Sequence, residues 1–304
     1  MQLLKLIRLY FYVCEVYDRE LAFHVQRFTK NRLPPQFTDA ELITAYLFAT
    51  AYEGRTLVKQ VYDLLDRHYR SWFPDLPSYQ AFNARLNRLN PVFPLLIADL
   101  VPRWQELALG AQELEFLLTD SMPIITCSGK RYGRVAPELT DKGYNSTKSM
   151  HFWGVKLHVV SVFHKGSLPA VEFVAVSGAS EHDLSAQREL LSSNGNRLTF
   201  ADKTFVDSKL AADFAQQGGK LYVPVKNKRG QCAIYRQWHK AADELYSKAV
   251  SSIRQPIESF FNWLIEKTDI QRASKVRSTK GLLVHIFGRI AAAVFLKVDQ
   301  LGLV

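Results

Sequence analysis

Cysteine is scarce in this chain of 304 residues, which has only Cys14, Cys127 and Cys232. The three are far apart, and none belongs to a C-x-x-C pair. The sequence therefore argues against a disulfide framework and against a zinc ribbon. This cysteine usage fits a reducing compartment, and we expect a cytoplasmic protein.

Several common sequence motifs are also missing. The chain has no P-loop and no G-x-G-x-x-G segment, so neither ATP nor a dinucleotide is implied. Internal repeats and low-complexity tracts are absent as well. No serine, tyrosine or cysteine constellation indicates covalent nucleophilic catalysis.

Long uninterrupted apolar runs are missing too, which bears on membrane association. The segment 1–20 begins with apolar residues but contains charged side chains and is followed by no small-residue cleavage site. We predict an amphipathic helix there and no signal peptide. The apolar segment 281–298 contains His285 and Arg289 and is short for a membrane span, so we predict a buried C-terminal helix. No membrane partner is expected.

Positive charge is in excess, with a formal net charge of +10. Such an excess favours an anionic partner, and nucleic acid is the commonest one. The basic segment 226–280 has twelve Lys or Arg residues against five Asp or Glu residues. We predict that it follows a phosphate backbone, although a solvated surface is the alternative. Its candidate DNA-binding residues are Lys226, Lys228, Arg229, Arg254, Lys275 and Arg277.

Residues 1–110 have helical periods and little strand signal, which predicts an all-helical N-terminal domain. Thr38 and Glu41 have the spacing of a capping box ahead of an apolar run. A later helix is predicted to begin after Ser78 as its N-cap. Its polar face carries amide and guanidinium groups, which pair with base edges and phosphates: Asn83, Asn87 and Arg88. We predict a helix-turn-helix-like DNA-binding domain, and a solvated helix face is the alternative.

The pattern changes in the second predicted domain, residues 111–304. Strands are predicted at 113–121, 151–163, 168–178, 196–201 and 220–226, with helices at 181–191 and 206–217 and further helices after residue 226. Three adjacent strands followed by alternating helix and strand indicate an α/β domain with a mixed sheet.

Two aspartates follow apolar strand patterns in the same way, Asp120 after FLLT and Asp202 after LTFA. A carboxylate at the end of a core strand costs free energy unless something pairs with it. If the two strands are neighbours, the carboxylates lie side by side, where a shared cation would stabilise both. Oxygen ligands of this kind suit Mg²⁺ or Mn²⁺. For Asp202, pairing with Lys203 or simple solvation is the alternative.

Glu258 is the candidate for a third carboxylate. It is predicted to lie on a helix whose other face is apolar, and Arg254 precedes it by one turn on the same face. Glu266 and Asp269 are the alternatives to Glu258.

Four further residues near the predicted strands carry polar chemistry. Lys156 and His158 alternate onto one face of the second strand, so both are predicted to reach the carboxylates as phosphate or electrostatic helpers. A core histidine is an equal alternative for His158. His182 and Asp183 are predicted to cap a helix rather than bind metal.

Asp120, Asp202 and Glu258, in this order on two strands and a late helix, resemble the RNase H-like DDE domain of bacterial insertion-sequence transposases. Arg254 and Glu258 match the arginine and glutamate of the C-terminal signature of that family. Three segments are similar to other family motifs: GVKLH at 154–158, SGASEHD at 177–183 and ADKTFVD at 201–207. The all-helical N-terminal region is most similar to the insertion sequence 982 group.

The resemblance implies an RNase H-like mixed sheet flanked by helices, preceded by the all-helical domain. It also implies a DNA transposase that cleaves element ends and joins the 3′-OH to target DNA by in-line phosphoryl transfer. Two Mg²⁺ or Mn²⁺ ions would be held by the three carboxylates. The implied partners are double-stranded DNA, as terminal inverted repeats and target, and a second copy of the chain in a homodimer on bacterial DNA.

Two other functions remain open from the sequence. The chain could be a metal-dependent nuclease without strand transfer. It could also be a DNA-binding regulator derived from a transposase that has lost catalysis. The related signature has tyrosine where this chain has Ser251 and lysine where it has Ile265, which keeps the second alternative open.

Overall fold

The structure is a computed structural model that describes residues 2–25, 35–109, 116–145, 148–226 and 233–302. The chain forms two compact units. The first comprises Met1–Leu107, Arg134–Glu138 and Leu264–Val304, and the second comprises Ala108–Gly133 and Leu139–Trp263. This differs from the predicted division, which assigned everything after residue 110 to one domain.

The N-terminal part of the first unit is helical, as predicted. Its helices are α1 (Gln2–Val16), α2 (Ala22–His24), α3 (Asp39–Ala51), α4 (Val58–His68), α5 (Tyr79–Arg88) and α6 (Val92–Leu109), with a π-helical turn at Tyr17–Leu21. The capping box at the start of α3 is confirmed, because Thr38 accepts a hydrogen bond from the Glu41 amide and the Glu41 carboxylate accepts one from the Thr38 amide. Ser78 caps α5 by accepting from the amide of Ala81.

The C-terminal helices complete the core of the first unit. They are α10 (Thr279–Leu283), a π-helical turn at Val284–Gly288 and α11 (Arg289–Gln300). The span Thr279–Gln300 is long and apolar enough to cross a membrane by length and composition, but 78% of its most apolar window is buried within the folded chain. Phe295 of α11 packs on Tyr12 with ring centroids 5.4 Å apart. The predicted buried C-terminal helix is therefore confirmed.

The second unit is built on a mixed six-stranded sheet, which confirms the predicted RNase H-like α/β class. Its strands are β1 (Phe116–Ser128), β2 (Asp141–Asn145), β3 (Met150–Val162), β4 (Ala170–Gly178), β5 (Leu198–Phe200) and β6 (Lys220–Tyr222). The order is β2-β3-β1-β5-β6, and β4 pairs with the remaining length of β3. Strand β1 is antiparallel to β3 and parallel to β5, and β5 is parallel to β6.

Helices α7 (Asp183–Ser193) and α8 (Ser208–Gln216) pack on one face of this sheet, and α9 (Ala233–Thr268) follows them in the chain. The core under α7 and α8 joins Leu117 and Val160 of the sheet to Leu191 and Phe214 of the helices. His182 caps α7 by accepting from the Leu184 amide, so its predicted capping role is confirmed.

Strand β1 is longer than predicted. The strand was predicted at 113–121, but β1 continues to Ser128 because it pairs with β3 along its whole length. Strand β2 was not predicted at all, since its sequence DKGYN lacks an apolar pattern and its pairing comes from β3. Asp120 therefore lies inside a strand, at the level where its shorter neighbour β5 has just ended.

Candidate active site

The two predicted aspartates are brought together by the pairing of β1 with β5. These strands run parallel, with Leu117 beside Thr199 and Leu118 beside Phe200. The same offset places Asp120 beside Asp202, two residues beyond the last pair. The predicted neighbourhood of the two strands is thus confirmed, and the Asp202 charge contributes to raising the pKa of Asp120.

Asp120 is held by two hydrogen bonds in a partly buried position. Its Oδ1 accepts from the amide of Ser121 at 2.8 Å, and its Oδ2 accepts from Nη1 of Arg254 at 2.6 Å. The pKa of Asp120 is raised to about 6, and burial is the largest cause. The Arg254 guanidinium and the Ser121 amide act in the opposite direction and limit this rise. Asp202 adds to the upward shift by like-charge repulsion. A cation at this place therefore stabilises the ionised carboxylate.

Arg254 joins Asp120 to Glu258. Its Nη1 bonds Asp120 at 2.6 Å, and its Nη2 bonds Oε1 of Glu258 at 2.5 Å. Both Arg254 and Glu258 lie on α9, four residues apart, so they face the same side of the helix. The Arg254 side chain is 13% exposed and that of Glu258 is 52% exposed. Glu258 is thus at the open side of the cluster and Arg254 inside it.

Asp202 has no hydrogen bond or ion pair to Lys203 in the part of the chain that the structure describes. Asp202 is half-buried and precedes a short 3₁₀ helix at Lys203–Phe205 without capping it through its side chain. Lys203 is exposed. The alternative in which Lys203 neutralises Asp202 therefore has no support in the geometry.

The alternatives to Glu258 are placed differently. Glu266 forms an ion pair with Lys267 at 2.9 Å, and both belong to the first unit, as does Asp269. Glu258 belongs to the second unit and is joined to Asp120 through one guanidinium. The geometry therefore favours Glu258.

Lys156 and His158 lie on the other face of the sheet. In the β1–β3 pair, His158 is opposite Ser121, whereas Val159 is opposite Asp120. Directly opposed residues share a face and successive residues alternate, so Asp120 faces away from His158 and Lys156. The Lys156 ammonium donates to the carbonyl of Glu181 and pairs with Asp183 at 3.1 Å. This departs from the expectation that both side chains reach the carboxylates.

His158 is a buried core histidine, which was the alternative interpretation of this residue. It is 1% exposed, and burial lowers its pKa to about 4. Its Nε2 lies 2.7 Å from the Ser177 hydroxyl, and its Nδ1 lies 3.0 Å from Nε2 of Gln187. The carbonyl oxygen of Gln187 accepts a hydrogen bond from Thr119. This buried chain fastens α7 to both central strands.

A second polar link fastens the start of α7 beside the site. The Ser121 hydroxyl donates to the Asp183 carboxylate at 2.9 Å, and Lys156 bonds the same carboxylate. Neither link was inferred from the sequence, although the residue spacing indicates both. Thr119 and Ser121 are two residues apart on β1 and share one face of the strand, and Asp183 and Gln187 are four residues apart on α7 and share one face of the helix. The backbone that carries Asp120 is therefore fixed from behind by α7.

The predicted DNA-binding residues fall into several places. Asn83 and Asn87 of α5 line a cleft of about 370 Å³ in the first unit, together with Lys275 and Arg277. The lining includes no Asp or Glu residue among those that the structure describes. Arg88 is exposed at the end of α5 and does not line this cleft, and Lys226 is exposed in the second unit. Lys228 and Arg229 lie outside the described residues.

The carboxylate cluster offers oxygen donors to a metal ion. Oxygen ligands suit Mg²⁺ or Mn²⁺, and one cation, the Arg254 guanidinium, already lies between Asp120 and Glu258. Across the described ranges, no group of three or more His, Cys, Asp or Glu side chains is arranged to hold an ion directly. The oxygen donors are of the type that suits a divalent cation, while the guanidinium of Arg254 lies between Asp120 and Glu258.

The chain was compared with known proteins. Residues 111–295 match the family model described as the transposase DDE domain. The matched segment is more than half of the chain and contains all three carboxylates. No curated protein and no solved structure matches the chain.

Proposed function

We propose that this chain, which belongs to the family of transposases with a DDE domain, cleaves the ends of a DNA element and joins them to target DNA. We assign the catalytic role to Asp120, Asp202 and Glu258. One observation supports the assignment: Asp120 and Asp202 each come two residues after the last pair of the parallel strands β1 and β5, and Arg254 bonds both Asp120 and Glu258.

In this proposal the three carboxylates hold divalent metal. Two Mg²⁺ or Mn²⁺ ions, when bound, supply activation of the attacking oxygen and stabilisation of the leaving oxygen in an in-line displacement. The Ser121 amide fixes the orientation of the Asp120 carboxylate. Glu258 lies at the open side of the cluster, where a DNA strand has access. Because the attacking group is water or a 3′-OH, no protein nucleophile is required.

We propose the cleft of the first unit as a DNA contact. Asn83 and Asn87 carry the amide groups that pair with base edges, and Lys275 and Arg277 carry charges that bind phosphates. The lack of carboxylates in the lining supports an anionic ligand. We retain three groups as further backbone contacts: Arg88, Lys226 and the basic pair Lys228 and Arg229.

Finer assignments are also proposals. The all-helical N-terminal region supports placement near the insertion sequence 982 group. We also propose that the chain acts as a homodimer on double-stranded DNA, because transposition joins two element ends, and that it does so in the bacterial cytoplasm, which its cysteine usage fits.

The test is cleavage and joining of a labelled duplex that carries the native element end. The reaction is run with Mg²⁺, with EDTA and with Asp202→Ala, and the control is Glu189→Ala, which removes an exposed carboxylate from the same unit. We expect 3′-OH ends and joined product only with Mg²⁺, lost in Asp202→Ala and kept in the control. Nicking without joining would indicate a nuclease, and tight binding without cleavage would indicate a regulator.

The DNA contact at the cleft has its own test. Asn83→Ala with Asn87→Ala should reduce discrimination between the element end and unrelated DNA by about 1–3 kcal/mol for each lost pairing. Lys275→Ala should weaken binding to both DNAs and lower the salt slope by about one. Gln80→Ala, on the exposed part of α5 outside the cleft, is the control. Fluorescence anisotropy at several salt concentrations measures all three, and unchanged discrimination in the double variant would contradict this contact.

A further inference from the structure

We propose that Arg254 is the internal counter-cation of the carboxylate cluster and must leave its two partners when divalent metal enters. Arg254 would then be a positioning residue that sets the affinity for metal. The inference rests on the proposed function, because it takes Asp120, Asp202 and Glu258 as the residues that hold the ions.

Arg254 is bonded to oxygens of two of the three carboxylates. Asp120 has one carboxylate oxygen bonded to the Ser121 amide and the other bonded to Arg254. One Glu258 oxygen, Oε1, is bonded to the same guanidinium at 2.5 Å. Arg254 therefore occupies the space between the two carboxylates, where a metal ion held by both would lie. The ion and the guanidinium would compete for this place.

The charge of the cluster also favours the exchange. Asp120 and Asp202 each come two residues after the last pair of the parallel strands β1 and β5, so two like charges lie close together. A single guanidinium carries one positive charge for three carboxylates. A divalent ion carries twice that charge at shorter distances, so it is the stronger partner for the cluster. Exchange of Arg254 for metal is therefore electrostatically favourable once metal is present.

Arg254 is held in its buried position only through its two carboxylate partners among the described residues. Its side chain is 13% exposed, and its buried Nε has no hydrogen-bond partner within the described part of the chain. A buried donor without a partner costs free energy. The two carboxylates are thus the groups that keep Arg254 inside, and loss of both to metal removes the reason for it to stay. The displaced guanidinium is then available to a DNA phosphate, which is the ligand predicted for it from the sequence.

The experiment is a Mn²⁺ titration of the full chain without DNA, following free Mn²⁺ by its electron paramagnetic resonance signal. Arg254→Gln keeps much of the side chain and removes the charge, so we expect it to bind Mn²⁺ about tenfold more tightly than the wild type. Arg254→Lys keeps the charge, but one ammonium cannot form the two-pronged bridge, so about threefold tighter binding is expected. Arg188→Gln is the control, because Arg188 pairs with Asp207 elsewhere in the same unit and should leave the affinity unchanged.

Two outcomes would overturn the inference in different ways. Mn²⁺ affinity in Arg254→Gln equal to or below that of the wild type would mean that Arg254 does not compete with metal. If circular dichroism shows that Arg254→Gln does not fold, Arg254→Lys decides by the same criterion. Mn²⁺ binding that Asp202→Asn leaves unchanged would instead remove the proposed metal site, and the inference with it.

Discussion

Asp120 can remain ionised inside a strand because its surroundings compensate for burial. Desolvation and the nearby Asp202 raise its pKa to about 6, and Arg254 acts in the opposite direction. Arg254 therefore explains why the cluster is stable without metal. Order and residue type in the sequence are the basis for proposing the carboxylates, but they did not predict the guanidinium bridge, since Arg254 is 134 residues from Asp120.

His158 provides a pH test at the residue scale. Its pKa is lowered from 6.5 to about 4 by burial, with Lys156 acting in the same direction and Asp183 opposing it. Below pH 6.5 the unfolded chain takes up a proton that the folded chain excludes, so stability is full above 6.5 and falls as pH decreases toward 4. Between pH 7.5 and 4.5 the wild type should lose about 2–3 kcal/mol more than His158→Gln. Urea unfolding at both pH values measures this, and equal losses would contradict the buried neutral state.

At the scale of elements, the position of α7 depends on its polar links to β1 and β3. Gln187 is fully buried and bonds both Thr119 and His158. Gln187→Ala leaves these partners unsatisfied and should lower the free energy of unfolding by about 1–3 kcal/mol or more, since a buried unpaired group keeps its desolvation cost. Glu189→Ala, two residues away on the exposed side of α7, should change it by less than about 0.5 kcal/mol. Similar unfolding midpoints for both variants would show that the link is not stabilising.

Elements defined by local hydrogen bonds could be predicted from the sequence, and those defined by distant partners could not. The caps of α3 and α5 depend on residues three positions apart, so Thr38 and Ser78 were sufficient to locate them. The extension of β1 past Asp120 and the existence of β2 depend on β3, and nothing near either segment specifies that pairing. Alternation correctly placed Lys156 and His158 on one face, but only the register with β1 decides which face that is.

At the scale of the whole molecule, the first unit is discontinuous in sequence. Tyr52 donates to Asp299 at 2.6 Å, and buried Arg289 donates to the carbonyls of Thr56 and Thr268. A fragment of residues 1–109 lacks these partners and should show low helicity and no cooperative thermal transition by circular dichroism. Adding a peptide of residues 264–304 should restore a cooperative transition. A fragment that unfolds cooperatively alone would contradict this dependence.

The central claim is that Asp120, Asp202 and Glu258 form one metal site. Anomalous diffraction from crystals of the wild-type chain soaked in Mn²⁺ tests it most directly. We predict Mn²⁺ bound by oxygens of all three carboxylates, with the guanidinium of Arg254 no longer bonded to Asp120 and Glu258. Mn²⁺ bound elsewhere, with Arg254 still bridging the two carboxylates, would contradict the account.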